Sequence, residues 1–260
     1  MLSEFERRRA VELLEAAHQS GHAIGSLKRT YPDMDLDDAY AIQRALIDSQ
    51  VRMGSAIVGY KVGLTSEVIQ RPVGVDEPGF SALLDRHFLP NNTTVSHNTY
   101  LDPHVEIGIA FVMGSPVGVG ADRQTALEAI ESVVAWIEII DHRIVDRLGV
   151  VDMVADLASC GSVVLGTSKI DLETIDHRRV AGTLERNGHQ VCGGDASAVL
   201  GDPLDAVLWL VETLGHHDVA LEPGDIVLTG SFVPIQPTEG GDRFVARFSD
   251  GLGDVDLRFV

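Results

Sequence analysis

Three charged side chains stand where apolar strands give no packing reason for charge. Glu106 lies in "DPHVEIGIAFVMG" (102–114), where Val105, Ile107, Ile109 and Phe111 alternate as one face of a strand. It shares the other register with His104 and Gly108. Glu138 lies in the equally apolar run "WIEIIDHRI" (136–144). A buried carboxylate is costly, so it is paired, protonated or bound to a cation. If the two strands are neighbours, their carboxylates could hold one hard cation through oxygen ligands. The alternative is a structural salt bridge for each, with Arg143 as one partner at hand, and Asp141 caps or pairs with that same arginine.

The third charge is Lys61, in "GYKVGLTS" (59–66). The chain has only three lysines, Lys28, Lys61 and Lys169, and a formal net charge of −19. An anionic substrate would therefore need a cationic site built against the protein's own field. Lys61 offers the charge, and the turn at Leu64, Thr65 and Ser66 offers N–H and hydroxyl groups to a carboxylate. The plainer alternative is a lysine snorkelling at a strand edge. Asp156, Ser159 and Ser162 in "VADLASCGSVVLG" (154–166), and Ser231 after "DIVLTG", read from spacing alone as turn residues that bond locally.

These residues need strands to present them. Helices are expected over residues 3–19 and 36–52, with Pro32 in a turn between them, and over about 122–135, burying Leu127, Ile130 and Val134. Another begins at Asp202 as N-cap, runs through Leu204, Val207, Leu208, Val211 and Leu214, and ends with Gly215 at C′. "VAGTLERNGHQVCGG" predicts a hairpin about Asn187-Gly188. "GDIVLTGS" predicts a strand, and the last residues predict two strands around Gly251 and Gly253. Frequent glycines between short strands point to an α+β chain with a mixed, curled β-roll or barrel-like core. The expected organisation is a single domain over 1–260, with a helical part at 1–55 and a β-rich catalytic core at 56–260.

Composition narrows the partners. Hydrophobic residues make up 45% and mean hydropathy is +0.11, as in a compact globular protein. No apolar run is long enough for a membrane span, and the first residues carry charge throughout rather than a secretory pattern. Cys160 and Cys192 form neither a disulfide framework nor a zinc spacing, which suits a reduced, cytoplasmic protein. The acidic balance argues against nucleic acid and anionic membranes as partners.

Taken in order, "DLDDAYAIQ", "GYKVGLTS", "GVDEP", the Glu106 strand, "IEIIDHRI", "VADLAS", "AVLGDP" and "LEPGDIVLTGS" are similar to the 2-keto-4-pentenoate hydratase/4-oxalocrotonate decarboxylase family. That family belongs to the fumarylacetoacetate hydrolase-like group, and the resemblance runs nearly the whole length. It implies a fumarylacetoacetase C-terminal-like fold, a homo-oligomer and one Mg²⁺ or Mn²⁺ per site. Glu106 and Glu138 would be the metal ligands. Lys61, Asp156 and Ser159 would be catalytic, and Leu64, Thr65, Ser66 and Ser231 would bind the substrate. The implied activity is metal-assisted lyase chemistry on a 2-hydroxy-2,4-dienoate or its 2-oxo tautomer, as in aromatic meta-cleavage. Hydration leads; decarboxylation of an oxalocrotonate, enol-acid tautomerisation and a non-catalytic ligand-binding or partner role are the alternatives. Three positions depart from the family pattern. Gly108 stands for the second glutamate of Glu-x-Glu, which implies weaker metal binding. Gly79 stands for an acid after "DEP", and Leu157 for an asparagine. His104 is a candidate to compensate for Gly108, better suited to a softer ion than to Mg²⁺.

Overall fold

The computed structural model describes residues 1–66, 70, 75–145 and 149–260; Gly74 of the "GVDEP" motif lies outside them. Six α-helices are described: α1 (Glu4–Ser20), α2 (Leu27–Thr30), α3 (Leu36–Arg52), α4 (Arg123–Ala129), α5 (Val150–Ala155) and α6 (Pro203–Gly215). The strands are β1 (Ile57–Gly63), β2 (Gly79–Leu84), β3 (Phe88–Leu89), β4 (Thr93–Val95), β5 (His104–Met113), β6 (Ile130–Ile140) and β7 (Cys160–Leu165). They continue as β8 (Ala181–Arg186), β9 (His189–Asp195), β10 (Ile226–Ser231), β11 (Gln236–Pro237), β12 (Arg243–Phe248) and β13 (Gly253–Phe259).

The N-terminal helices form where the sequence places caps. Ser3 and Glu6 close a capping box on α1, Asp35 and Asp38 close another on α3, and Asp202 caps α6 through the Leu204 N–H. Each helix turns an apolar stripe inward: Ala10, Leu14 and Ala17 on α1, and Ala39, Ile42 and Leu46 on α3.

Strands β2-β1-β10-β5-β6-β7-β3 form one mixed sheet, with β11 added beside β5. A second sheet runs β4-β13-β12-β8-β9. The larger sheet is a curled half-barrel, as the glycine pattern suggested, so its two faces meet different surroundings. The outer face carries Val105, Ile107, Ile109 and Phe111 of β5 with Val133, Ala135, Ile137 and Ile139 of β6, all fully buried in the main core with the helices and the second sheet. The inner face holds a smaller apolar cluster of Leu83, Ala110, Val112, Val134, Trp136, Cys160, Val163 and Leu228. Side chains alternate along a strand, so Lys61, Glu106 and Glu138 all fall on the inner face. The "other register" of the β5 segment therefore points into the curl rather than to solvent.

Two expectations are corrected. The helix expected over 122–135 ends at Ala129, and Ile130 opens the eleven-residue strand β6. Asp122 does cap the helix through the Thr125 N–H at 2.8 Å. Beyond residue 129, the β-branched Val133 and Val134 run into Ile137, Ile139 and Ile140, and the segment pairs with β5 along its length. Spacing of Leu127, Ile130 and Val134 suits either period, and sheet pairing decided it. Gly215 is the last residue of α6 rather than its C′ residue; the left-handed position is Asp218 at φ 57°. The hairpin turns at Asn187 (φ 55°) and Gly188 (φ 82°), as the dipeptide signal predicts.

Candidate functional site

In β5 and β6 the register sets Glu106 directly opposite Glu138, and Gly108 directly opposite Trp136. β1 runs parallel to β10 with Lys61 opposite Leu228. These pairings carry the three charges to one place inside the curl. Lys61 is 5% exposed and Glu138 1%. The Lys61 ammonium donates to Glu138 Oε1 in a buried ion pair, and to the carbonyl of Ala158 at 3.1 Å. Lys61 is therefore no snorkelling edge residue, and Glu138 pairs with it rather than with Arg143.

Burial alone would lower the Lys61 pKa, but the negative charge of Glu138 outweighs that and raises it. Glu106 responds the other way. Burial, then repulsion from Glu138, pushes its carboxyl up to about 8, against the opposing pull of Lys61 and the Ser231 hydroxyl. Cys160 is pushed up to about 12 by burial and by Glu138, so its thiol stays protonated and uncharged. The site is thus a carboxylate pair with one ammonium, short of positive charge.

Gly108 marks the wall of this site. A Cβ built on it would lie 2.3 Å from Trp136 Cζ2, 2.8 Å from Trp136 Cε2 and 2.6 Å from the carbonyl oxygen of Gly230. Trp136 is fully buried, and its indole N–H has no hydrogen-bond partner among the described residues. The indole thus occupies the space a side chain at 108 would need. Gly79 is different: its nearest neighbours, the Tyr40 hydroxyl and Val154 Cγ2, would sit 3.7 Å from an added Cβ. A Cβ there meets only ordinary van der Waals contact.

The loop that receives Lys61 is unusual. Leu157, Ala158 and Ser159 all have positive φ, at 53°, 48° and 59°. Non-glycine residues in this region each cost about 1 kcal/mol or more, so surrounding contacts must hold them. Asp156 anchors one end: its carboxylate accepts from the Arg143 N–H at 2.7 Å, from Arg143 Nε at 3.0 Å, and pairs with His18 Nε2 at 3.0 Å. Burial would raise its pKa, but Arg143 and His18 prevail and hold it below the usual carboxylate range. At the other end, Ser159 Oγ lies 2.7 Å from His142 Nδ1. Burial keeps the His142 pKa below its ordinary value. Asp156 and Ser159 therefore brace the turn that presents the Ala158 carbonyl, while the carboxylate pair lies on the strands beside it.

The other expected site residues are arranged around the curl. Leu64 adopts φ 55° and its carbonyl accepts from Gln70 Nε2 at 2.7 Å. Thr65 is buried, and its carbonyl accepts from the Leu200 N–H at 3.0 Å. Its side chain packs so closely on Gly230 that an added Cβ would stand 2.3 Å from Thr65 Oγ1; Gly230 is also held at φ +118°. Ser66 is partly buried, and its carbonyl accepts from Gln70 N at 3.0 Å. Ser231 Oγ donates to the carbonyls of Ile107 at 3.1 Å and Val233 at 2.9 Å, next to Glu106. His104 is partly exposed and bonds through Nδ1 to the carbonyl of Asp102 at 2.9 Å. Asp141 accepts from Leu101 N and Asp102 N at 2.8 and 3.0 Å, and lies 3.5 Å from Arg143 Nη1. Trp136, His142 and the Ala158 carbonyl are site features that spacing did not single out; Arg143, expected as a partner of the strand carboxylates, binds Asp156 instead and keeps Asp141 as a longer contact. Of these, only Trp136 carried a signal, as the one large ring in the Glu138 run.

Sheet, curl and paired carboxylates define a class. Residues 63–260 match the model of the fumarylacetoacetate (FAA) hydrolase C-terminal family, and the chain belongs to that family. It is 38% identical to the 2-keto-4-pentenoate hydratase of Paraburkholderia xenovorans (strain LB400) over 256 residues, covering 98% of this chain and 95% of that one. It is 33% identical to the 2-hydroxyhexa-2,4-dienoate hydratase of Comamonas testosteroni, covering 95% of each. Among solved structures, the 4-oxalocrotonate decarboxylase of Pseudomonas putida G7, complexed with magnesium and adipate, superposes with a TM-score of 0.96 at 30% identity. That match covers 100% of this chain and 99% of the other. Among the described residues no helix is long and apolar enough to cross a membrane.

Proposed function

We propose that the chain is a metal-assisted lyase, a hydratase acting on a 2-hydroxy-2,4-dienoate or its 2-oxo tautomer, as in the breakdown of aromatic meta-cleavage products. The single observation that carries the reading is the register of Glu106 against Glu138, with the Lys61 ammonium between strands on the same inner face.

The donor set fits one hard divalent cation, Mg²⁺ or Mn²⁺. Burial and mutual repulsion leave the carboxylate pair in need of positive charge. Such ions are commonly held by one or two carboxylates, with water and substrate oxygens completing the shell. No third His, Cys, Asp or Glu joins the pair among the described residues. Glu106 and Glu138 would hold the ion. When bound, it would act as a Lewis acid toward the charge that develops on a chelated 2-oxo group.

The chain's own residues supply the rest. Lys61, fixed by Glu138 and the Ala158 carbonyl, places an ammonium against the substrate's carboxylate and stands ready to move a proton. The Leu64 backbone, Thr65, Ser66 and Ser231 would receive the acid end. Asp156 and Ser159 hold the 157–159 turn, and through it the position of Lys61. The non-catalytic alternative is disfavoured by the survival of all three charged groups, of which Lys61 and Glu138 are buried, where unused charge is a cost. The proposal includes a cytoplasmic homo-oligomer with a small-molecule acid as its partner, which light scattering of the purified chain checks for self-association.

The test is loss of ultraviolet absorbance from 2-hydroxypenta-2,4-dienoate, dependent on Mg²⁺ or Mn²⁺ and abolished by a chelator. Formation of a 4-hydroxy-2-oxo acid supports hydration. Gly79, which leaves no carboxyl at that point of β2, favours one second reading: decarboxylation. Release of CO₂ from 4-oxalocrotonate with no hydration of the dienoate would establish it instead.

A further inference from the structure

We propose that a cavity beside β7, apart from the carboxylate pair, binds a small oxyanion, a carboxylate or a phosphate, between Arg86 and Arg143. The cavity measures about 280 Å³ and lies where the end of α1, the 85–87 turn, residues 99–101 and the start of β7 come together. Lys61, Glu106 and Glu138 are not among its lining residues. The cavity is thus independent of the reaction proposed above.

Three features of the cavity select an anion. The first is a surplus of donors. Arg86 has no ion-pair partner among the described residues. Arg143 is 6% exposed, and a guanidinium carries five N–H groups. Its Nε binds Asp156, its Nη2 binds the Cys160 carbonyl at 2.9 Å, and its Nη1 reaches Asp141 only at 3.5 Å. Three contacts against five N–H groups leave two to donate. Tyr100 and Ser162 share one hydrogen bond at 2.9 Å, which uses one of their two hydroxyl hydrogens and leaves the other.

The second feature is His87, which is 5% exposed. Its Nδ1 accepts from the Leu84 N–H at 3.2 Å, so the hydrogen of the neutral ring sits on Nε2. That N–H has no acceptor among the described residues, yet it is not sealed in packing as the Trp136 indole N–H is. With His87 in the lining, it is open to the cavity. A buried donor left unpaired is costly, and an anion would satisfy it.

The third feature is charge. The lining sets Arg86 and Arg143 against one carboxylate, Asp141, whose Oδ1 already accepts from the Leu101 and Asp102 N–H groups. Asp156, the other partner of Arg143, lies outside the lining. In a chain of net charge −19, such a local positive surplus runs against the field of the whole. Its neighbours register it. Burial, then the charges of Arg86 and Arg143, push His87 down to about 3, and burial with repulsion from Arg143 lowers Arg86. An anion between the two guanidiniums would relieve that repulsion, and their N–H forks match the paired oxygens of a carboxylate or phosphate. Pockets for drug-sized ligands begin at about 300 Å³, so this cavity suits an ion of few heavy atoms. Its occupant would touch the same arginine that braces Asp156 and the Cys160 carbonyl on either side of the 157–159 turn.

Calorimetric titration of inorganic phosphate and, separately, acetate into the full chain tests this, in chelator so that no cation at Glu106 and Glu138 can hold the anion. At least one should bind with a dissociation constant of about 1 mM or tighter. Tighter phosphate identifies a phosphate ligand, and tighter acetate a carboxylate one. Arg86→Gln should weaken that binding by about tenfold or more. Arg44→Gln, at an exposed arginine of α3 outside the lining, should leave it within about twofold, which separates a local site from the effect of net charge. In nitrogen-15 spectra of the wild type the His87 Nε2–H resonance should shift as the same ion is added, a readout that needs no variant to fold. No binding of either ion overturns the proposal. So does an unmoved His87 resonance, an unchanged affinity in Arg86→Gln, or a loss in Arg44→Gln as large as in Arg86→Gln.

Discussion

A single methyl group placed on Gly108 would have nowhere to go. Its carbon would lie 2.3 Å from one ring atom of Trp136, 2.8 Å from another and 2.6 Å from a backbone carbonyl, all far inside van der Waals contact. None of these is the free end of a flexible side chain, because Trp136 is fully buried among Ala110, Val112, Val134 and Leu228. Overpacking a tight core costs about 1–3 kcal/mol, and two rigid obstacles place Gly108→Ala near the upper end, at about 3 kcal/mol. For a chain of this size that is a fall of roughly 6 °C in Tm. Urea unfolding followed by circular dichroism measures it. Gly79→Ala, where the nearest atom is 3.7 Å away, is the control and should stay within about 0.5 kcal/mol of wild type. A double-mutant cycle isolates the ring. Trp136→Ala alone should cost about 3–5 kcal/mol through its cavity, but in that background the added methyl meets only the Gly230 carbonyl. Its penalty should therefore drop by about 1 kcal/mol or more. Gly108→Ala as stable as wild type, or equally costly with and without the indole, would refute the packing argument.

Other outcomes follow from the same geometry. In the metal-free protein, Glu106 titrates at about 8, above the ordinary carboxylate value of the unfolded chain. Its contribution to stability is therefore full below about pH 4.5 and is lost as pH rises through about 8. Stability in chelator should fall across that window, and Glu106→Gln should flatten the slope; an unchanged slope assigns it to other groups. Asp156→Ala leaves the buried Arg143 guanidinium with only the longer Asp141 contact and the Cys160 carbonyl, and should destabilise by about 3 kcal/mol in urea unfolding; a loss under 1 kcal/mol would show that the turn is held by something else. Gly79→Asp, whose Cβ would meet only ordinary contacts, should raise hydration relative to CO₂ release once circular dichroism shows it folded; an unaltered product ratio would remove position 79 from the chemistry.

Much of this was open to reading from residue types. Asp122 and Asp202 locate two helix starts, because a side chain that satisfies free N–H groups leaves a local signature; the caps Ser3 and Asp35 came from the structure. Glu106, Glu138 and Lys61 stand out because each breaks an apolar strand. What strings of residues do not carry is register. Only the pairing of β5 with β6 sets Glu106 against Glu138 and Trp136 over Gly108, and a slip of one residue would send every one of these side chains to the opposite face. The strand β6 was itself half hidden, since its first residues share a spacing with the helix before it. The partnership of Asp156 with Arg143 and His18 is likewise a product of folding: His18 comes from α1, far away in the chain.

The most direct measurement on the site compares kcat/KM of Glu106→Gln, Glu138→Gln and the double variant with wild type, on 2-hydroxypenta-2,4-dienoate at saturating Mg²⁺ and with folding verified. Residues that act as a unit are strongly non-additive. Each single variant is expected to lose on the order of 100-fold or more, with the double variant little worse than the poorer single one. Either single variant within threefold of wild type would contradict the assignment of the cross-strand carboxylate pair as the reaction centre.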